Sequence, residues 1–243
     1  MVTANKPPAG TTAKPKEKAS LTEYAYEQLK DRILALHFLP GQYLNEASLS
    51  EQLEIGRTPI HQALQRLKEE GLVEILPRKG IIVQPDSLGE IVNILDSRLT
   101  VEPQLAQFAA QRVSEGKVTE AEIAEMKELA DATPEETQPP DIALFSSNDR
   151  KFHVAVATLS GNPVMAGFAR KLHERSSRFW YLNMWQTIDV AASNTQHLDI
   201  AEAIAQGDES GANEKMHAHI LSLRKRLKQL EALAGVHGRF PAQ

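Results

Sequence analysis

The sequence lacks cysteine, long apolar runs and a recognisable export signal. The absence of cysteine excludes disulfide bonds and thiolate chemistry, so any metal site must use histidine, aspartate or glutamate. No apolar run approaches the roughly eighteen residues that a membrane-spanning helix requires. The first twenty residues lack the apolar core of a secretory signal. These absences predict a cytoplasmic protein with no membrane partner.

A strong positive charge is also missing, since the net charge of the 243 residues is -5. This balance argues against a protein that packages nucleic acid through charge alone. The charge is unevenly distributed: residues 1–85 contain eleven Lys+Arg and ten Asp+Glu, whereas residues 86–243 contain sixteen and twenty-two. The length allows two modest domains, and the uneven charge is consistent with two roles on one chain.

The first part of the chain has the pattern of a small DNA-binding domain. Residues 1–19, rich in Pro, Lys, Ala and Thr, predict a disordered tail. Residues 20–85 predict three helices, the first capped by Ser20 with Glu23. Thr58 is the predicted N-cap of the third helix. The runs LVEIL and IIVQP around the tetrapeptide PRKG then predict a hairpin, so the domain is expected to be a winged helix-turn-helix.

Beyond Pro85 the pattern indicates helices only. Ser87 with Glu90 and Thr119 with Glu122 form capping boxes at the starts of two of them. Six predicted helices with short connections indicate an all-α bundle over residues 86–236. The predicted fold class is therefore mainly α, with a winged helix-turn-helix followed by an all-α six-helix bundle.

Basic and polar residues gather at two ends of the predicted N-terminal domain. An α-helix fits the major groove with its N-terminal residues closest to the bases, which is where Arg57 and Thr58 lie. Gln62 lies one turn further on and could pair with adenine. The predicted DNA-contacting set is Arg57, Thr58, Gln62 and Arg66 on the helix and Arg78, Lys79 and Gly80 on the wing. Ordinary solvated charge remains the alternative for each single residue.

The stretch from Leu21 to Pro85 resembles the winged helix-turn-helix of the GntR family of bacterial transcription regulators. Its segment GRTPIHQALQRLKEEGLV is similar to the family pattern S-R-T-P-V-R-E-A-L-x-x-L-x-x-E-G-L-V. The resemblance implies that Arg57 and Thr58 contact DNA. It also adds His61, which stands where the family usually has arginine. Because histidine with a pKa near 6.5 is mostly neutral at pH 7, the operator sequence can differ from the family's common inverted repeat.

One aspartate and three histidines are expected on inner faces of the bundle. Asp149 and His153 are one helical turn apart, and His197 and His219 lie in or beside apolar stripes of two later helices. Imidazole with carboxylate, without thiolate, suits Zn²⁺, Ni²⁺, Fe²⁺ or Mn²⁺. The alternative is that each histidine is a hydrogen-bonded core residue.

The pattern D-x-x-x-H, then S-G-N-P, then two histidines near the C-terminus resembles the FCD effector domain of FadR-type GntR regulators. The number of helices, six rather than seven, is similar to the VanR-like branch. The resemblance implies a divalent metal, zinc first, held by Asp149, His153, His197 and His219. It also implies that Arg98, in DSRLTVEP, binds the carboxylate of a ligand, with a salt bridge to Glu102 as the alternative.

These features predict a dimeric bacterial transcription regulator that is not an enzyme. The expected partners are double-stranded DNA carrying an inverted-repeat operator, a small organic-acid effector and a second copy of the chain. Repression relieved by the effector is the expected mode. Two alternatives stay open: a regulator that senses the metal itself, and a metal-dependent enzyme.

Overall fold

In the computed structural model of the chain, the described residues are 21–131, 142–183 and 189–237. The chain divides into two compact units, and the main boundary between them falls between Gln84 and Pro85. The predicted tail at 1–19 and the predicted cap Ser20 lie outside the described residues, and so does the segment TPEETQPPD at 133–141, whose composition is typical of a loop.

The first unit consists of three helices and a small antiparallel sheet. Its elements are α1 (Leu21–Leu34), β1 (Tyr43–Leu44), α2 (Glu46–Leu53), α3 (Arg57–Glu69), β2 (Val73–Leu76) and β3 (Gly80–Val83). The strands lie in the order β1-β3-β2, and Ile75 faces Ile81 across the hairpin. Leu29 and Ile33 of α1 and Leu64 and Leu67 of α3 are completely buried. Apolar side chains at helical spacing thus build this core, and the unit is a winged helix-turn-helix.

Two local features of this unit differ from the sequence-based predictions. The N-cap of α3 is Gly56, which makes no side-chain hydrogen bond, so the prediction that Thr58 caps the helix is wrong. Arg57 and Thr58 are instead the first two helical residues. Strand β1 was not predicted, because a two-residue strand carries too few residues to show an alternating pattern.

The second unit is a bundle whose described elements are six helices, in agreement with the predicted number. They are α4 (Leu88–Ser114), α5 (Glu120–Ala130), α6 (Ile142–Leu159), α7 (Pro163–Asn183), α8 (Val190–Ala205) and α9 (Glu209–His237). Both predicted capping boxes are present, Ser87 with Glu90 and Thr119 with Glu122. Together with the first unit they confirm the predicted mainly α fold class.

Helix α4 is the central element of the bundle, because it packs against α6, α7, α8 and α9. Its buried residues Ile91 and Leu95 join one apolar core with Phe152 of α6, Ile200 of α8 and Ile220 of α9. Within the parts of the chain that the structure describes, no helix is long and apolar enough to cross a membrane.

Candidate functional site

The first unit presents Arg57 and Thr58, both exposed, in the opening turn of α3. Arg57 makes no hydrogen bond or ion pair with any other described residue. Arg78 and Lys79 in the turn between β2 and β3, and Gly80 at the start of β3, are exposed. Arg78 has a φ of 63°, which is unusual for a residue with a side chain, and Gly80 has a φ of 105°. The turn therefore holds two basic side chains in the solvent at the tip of the hairpin.

The other three predicted DNA-contacting residues are tied to neighbours within the unit. His61 Nδ1 lies 2.8 Å from Glu46 Oε1, and Gln62 Oε1 accepts a hydrogen bond of 2.7 Å from Thr22. Arg66 pairs with Glu23 at 2.6 Å and stacks over the ring of Tyr26 at 3.8 Å. Each of these residues would have to give up an intramolecular contact in order to bind DNA. The geometry therefore supports them less strongly as DNA-contacting residues than Arg57, Arg78 and Lys79.

The second unit brings together the four residues that the sequence analysis singled out as metal ligands. Asp149 and His153 lie one turn apart on α6, His197 lies on α8 and His219 on α9. One ligand atom from each residue lies within 4.8 Å of those of the other three. The three histidines are buried, whereas the side chain of Asp149 is 18% exposed. Three separate helices thus converge on one small volume, which we call the histidine cluster.

Hydrogen bonds to the second ring nitrogens orient two of these imidazoles. His153 Nδ1 lies 2.6 Å from Glu102 Oε2, and His219 Nδ1 lies 2.8 Å from Gln196 Oε1. Because both partners are acceptors, Nδ1 carries the proton in each neutral ring and Nε2 carries the lone pair. A carboxylate or carbonyl oxygen behind a histidine is the usual support of a metal-binding imidazole.

The protonation of the cluster is suited to a cation. Burial lowers the pKa of His153 and His197, and lowers that of His219 well below its usual range. Burial acts to raise the pKa of Asp149, but the facing imidazoles, His173 first, outweigh it and hold that pKa well below its usual value. At neutral pH the site therefore offers neutral imidazoles and an ionised carboxylate.

The buried Nε2 atoms test whether the residues fit a metal. Those of His153, His197 and His219 have no hydrogen-bond partner among the described residues. Buried polar atoms are normally paired, so several orphaned lone pairs facing one carboxylate need an explanation. A single divalent cation would satisfy all of them, and imidazole with carboxylate is a donor set that Zn²⁺, Ni²⁺ and Fe²⁺ accept. The four residues fit a metal site.

Arg98 lies in α4 next to the cluster and is 2% exposed. Its Nε donates to Glu102 Oε1 at 2.5 Å and a terminal nitrogen donates to Glu102 Oε2 at 3.3 Å. The other terminal nitrogen donates to Ser176 Oγ at 2.9 Å. The structure thus shows the salt bridge that was one of the two alternatives for Arg98. Glu102 also holds His153, so Arg98, Glu102 and His153 form a buried chain, and these neighbours keep the pKa of Glu102 low despite its burial.

A small cavity of about 40 Å³ opens onto the cluster. Arg98, Asp149, Ser177 and His219 contribute to its polar lining, and its apolar lining includes Phe145, Trp180 and Leu223. Two larger depressions of about 410 and 440 Å³ lie along α6, but no residue of the histidine cluster lines either of them. The cavity that adjoins the candidate metal ligands is therefore the smaller one, with room for a few water molecules or a small chemical group.

His173 of α7 was not predicted from the sequence as part of this site. This residue is 1% exposed, its Nε2 lies 3.1 Å from Asp149 Oδ2, and its ring stacks on His153 with centroids 4.4 Å apart. Its spacing carried a usable signal, because Ala169, His173, Ser176 and Trp180 follow one another on a single buried helix face.

A winged helix-turn-helix followed by a helical bundle with a histidine-rich centre defines a class of transcription regulators. The family model for bacterial regulatory proteins of the gntR family matches residues 21–83, and the FCD domain model matches residues 93–222. The chain belongs to the GntR family and carries an FCD domain, as the resemblance implied.

Relatives of this chain share both parts of it. The Nta operon transcriptional regulator of Aminobacter aminovorans is 29% identical over 187 residues, which cover 77% of this chain and 85% of that protein. The HTH-type transcriptional repressor GlaR of Escherichia coli is 24% identical, covering 81% and 91%. The solved structure of Escherichia coli McbR/YncC is similar in fold, with a TM-score of 0.73 at 20% identity over 88% of this chain and 99% of that chain. The family and the two relatives named by function are transcriptional regulators, so the chain belongs to a family of regulators and not of enzymes.

Proposed function

We propose that this GntR-family regulator is a homodimeric cytoplasmic repressor whose operator affinity is controlled by a small organic acid bound at a divalent metal. The observation that carries the proposal is the histidine cluster, where buried and unpaired Nε2 atoms face an ionised Asp149 beside a cavity. The description of the relative GlaR as a repressor supports repression as the mode.

Asp149, His153, His197 and His219 would hold the metal. The bound ion would act as a Lewis acid that takes a carboxylate or hydroxyl oxygen of the effector. We propose zinc first, with nickel, iron or manganese as alternatives. Arg98 remains the proposed partner of the effector's carboxylate, since its terminal nitrogens carry more protons than its bonds to Glu102 and Ser176 use.

The route from the cavity to the start of the bundle runs along α7. Ser177 lines the cavity, and Arg175 and Arg178 on the same helix both pair with Asp86. Asp86 lies two residues after Gln84, at which the first unit ends. An effector that shifts α7 would therefore move the residues that connect the two units. Such a shift changes operator affinity only if the effector favours one arrangement over the other.

Chelation and acid binding together test the proposed site. We expect one class of small organic acids to stabilise the metal-loaded protein by about 2.7 kcal/mol at a hundredfold excess over the dissociation constant, because the ligand binds only the native state. For a chain of this size that is a melting-temperature shift of roughly 5–10 °C. A thermal-shift screen on metal-loaded and chelator-stripped protein measures it, and the shift should vanish on stripping.

A regulator that senses the metal itself is the second candidate, and the cavity volume of about 40 Å³ favours it because an organic acid would have to displace side chains to enter. Metal that changes both stability and DNA affinity, with no acid adding to either effect, would support this candidate. Protein that keeps the same melting temperature with and without metal would contradict both.

The DNA-binding proposal makes a separate prediction at α3. Replacing Arg57 with alanine should weaken operator binding by about 1–3 kcal/mol, because Arg57 stands at the groove-facing end of the helix and has no other described partner. An operator obtained by in vitro selection with wild-type protein, expected to be an inverted repeat, supplies the probe for a gel-shift titration.

The matched control is Arg170→Ala, which removes the same charge from an exposed position of α7. This variant should bind the operator as wild type does, apart from a small effect at low salt. Equal operator affinity for Arg57→Ala and Arg170→Ala would show that α3 does not read the DNA through this residue.

A further inference from the structure

His173 stands apart from the four candidate ligands but contacts the same carboxylate. Asp149 Oδ1 lies 3.3 Å from His197 Nε2, and Asp149 Oδ2 lies 3.1 Å from His173 Nε2. The two oxygens of one carboxylate thus face imidazoles on two different helices. His173 is as deeply buried as the three histidines of the histidine cluster.

The Ser177 hydroxyl supports the Nδ1 side of the His173 ring. Its oxygen lies 3.0 Å from His173 Nδ1 and 2.8 Å from the backbone carbonyl of His173, to which the hydroxyl can donate its proton. In the tautomer in which the hydroxyl oxygen accepts from Nδ1–H, Nε2 is the ring nitrogen free to bind a metal.

The Nε2 atom of His173 lies unpaired beside the same carboxylate. It is buried, lies 3.1 Å from Asp149 Oδ2 and makes no aligned hydrogen bond with a described residue. Buried polar atoms are normally paired, and a cation shared with Asp149 would satisfy this nitrogen. The three unpaired Nε2 atoms of the histidine cluster surround the same carboxylate.

We propose that His173 is a fifth protein ligand of the metal, so that the chain offers four imidazoles and one carboxylate. This inference rests on the proposed metal site. Five protein donors suit ions that accept five or six ligands, so this inference would change the proposed order of metals and place nickel or iron ahead of four-coordinate zinc. They also leave a six-coordinate ion a single open position, so an effector would bind the metal through one atom.

Two substitutions at His173 distinguish the role of its Nε2 atom from that of its Nδ1 atom. Asparagine in His173→Asn can keep a donor near the Nδ1 position, and so the bond to Ser177, while removing Nε2. Glutamine in His173→Gln reaches further but also lacks an imidazole. His217→Asn is the control, because His217 lies on α9 but is exposed. Each protein is loaded with Ni²⁺, and the imidazoles bound to the metal are counted by X-ray absorption spectroscopy. The affinity of each protein for Ni²⁺ is measured by competition with a chromophoric chelator.

We expect four imidazoles per metal in wild type and in His217→Asn, and three in both His173 variants. The metal affinity of His173→Asn should fall by at least the roughly 10–100-fold that loss of an outer-shell partner costs. An unchanged imidazole count in folded His173→Asn or His173→Gln would overturn the assignment even if affinity falls, because His173 would then only position Asp149. Wild type that binds no Ni²⁺ would overturn the metal site itself, and the assignment with it.

Discussion

Replacing Arg98 with methionine should lower the free energy of unfolding of the second unit by about 3–5 kcal/mol. Arg98 and Glu102 are both almost completely buried, and Arg98 holds both carboxylate oxygens of Glu102. Methionine fills similar space but carries no charge. The substitution therefore leaves the Glu102 carboxylate in the core with His153 as its remaining described partner. An uncompensated buried charge is among the costliest single changes in a protein.

Glu102→Gln provides the matched test of this explanation. A glutamine oxygen can still accept the hydrogen bond from His153 Nδ1 but carries no charge. The single variant should be destabilised, because Arg98 loses its counter-charge. The double variant Arg98→Met/Glu102→Gln should recover most of the loss, since neither charge remains, and the coupling energy follows from the double-mutant cycle.

Urea unfolding of metal-free protein measures these differences without metal affinity entering. Both tryptophans, Trp180 and Trp185, follow Pro85 in the sequence, so their fluorescence reports on the second unit. If Arg98→Met were as stable as wild type, the two buried charges would not depend on each other. A double variant with a lower free energy of unfolding than both single variants would contradict the explanation in the same way.

The candidate metal ligands, including His173, were predictable to different degrees, and the packing of the helices explains the differences. Asp149 and His153 share one helix, so their spacing alone places them on one face. His197 and His219 lie on other helices and were paired with them through the family motif. His173 contacts Asp149 only because α6 and α7 pack closely, and helical periodicity carries no information on which residues of two helices meet.

The side chains that hydrogen-bond the candidate ligands were harder still to predict. Glu102 reaches His153 from 51 positions away in the sequence, and Gln196 reaches His219 from 23 positions away. The four-residue spacing of Arg98 and Glu102 permits a salt bridge but does not exclude a ligand role for Arg98. Only the close approach of α4 to α6 and α7 decides that Glu102 lies between Arg98 and His153.

The predicted helix starts agree with the structure at the two capping boxes but not at α3. The capping boxes at Ser87 and Thr119 were predicted and are present. At α3 the preference of threonine for caps predicted Thr58, yet Gly56 takes that place and the helix begins two residues earlier than expected. Glycine is tolerated at an N-cap, and the shift brings Arg57 into the first turn.

Replacing Asp86 with asparagine should destabilise the second unit by about 3 kcal/mol. The side chain of Asp86 is 3% exposed and pairs with Arg178, whose side chain is fully buried, and with Arg175 at 2.9 Å. Asparagine keeps the shape but removes the charge, and its amide group faces two guanidinium groups. This loss is at the lower end of the range expected for breaking a buried ion pair, because Arg175 keeps a second carboxylate partner, Glu90 at 3.3 Å.

Asp96→Asn is the control for this change. Asp96 also pairs with an arginine, Arg224 at 2.7 Å, but it is 53% exposed, so its loss should cost no more than about 1 kcal/mol. Similar urea midpoints for the two variants would show that burial does not set the strength of the Asp86 pair.

The Asp86→Asn variant also tests whether the acid can bind without changing operator affinity. Arg175 and Arg178 lie on the same turn of α7 as Ser176, which accepts a hydrogen bond from Arg98, and Ser177, which lines the cavity. With the link to Asp86 weakened, metal and acid should still bind in the thermal-shift assay, but the acid should change operator affinity less than in wild type. An unchanged response to the acid, at a temperature where the variant is folded, would mean that the signal leaves the cavity by a route other than α7 and Asp86.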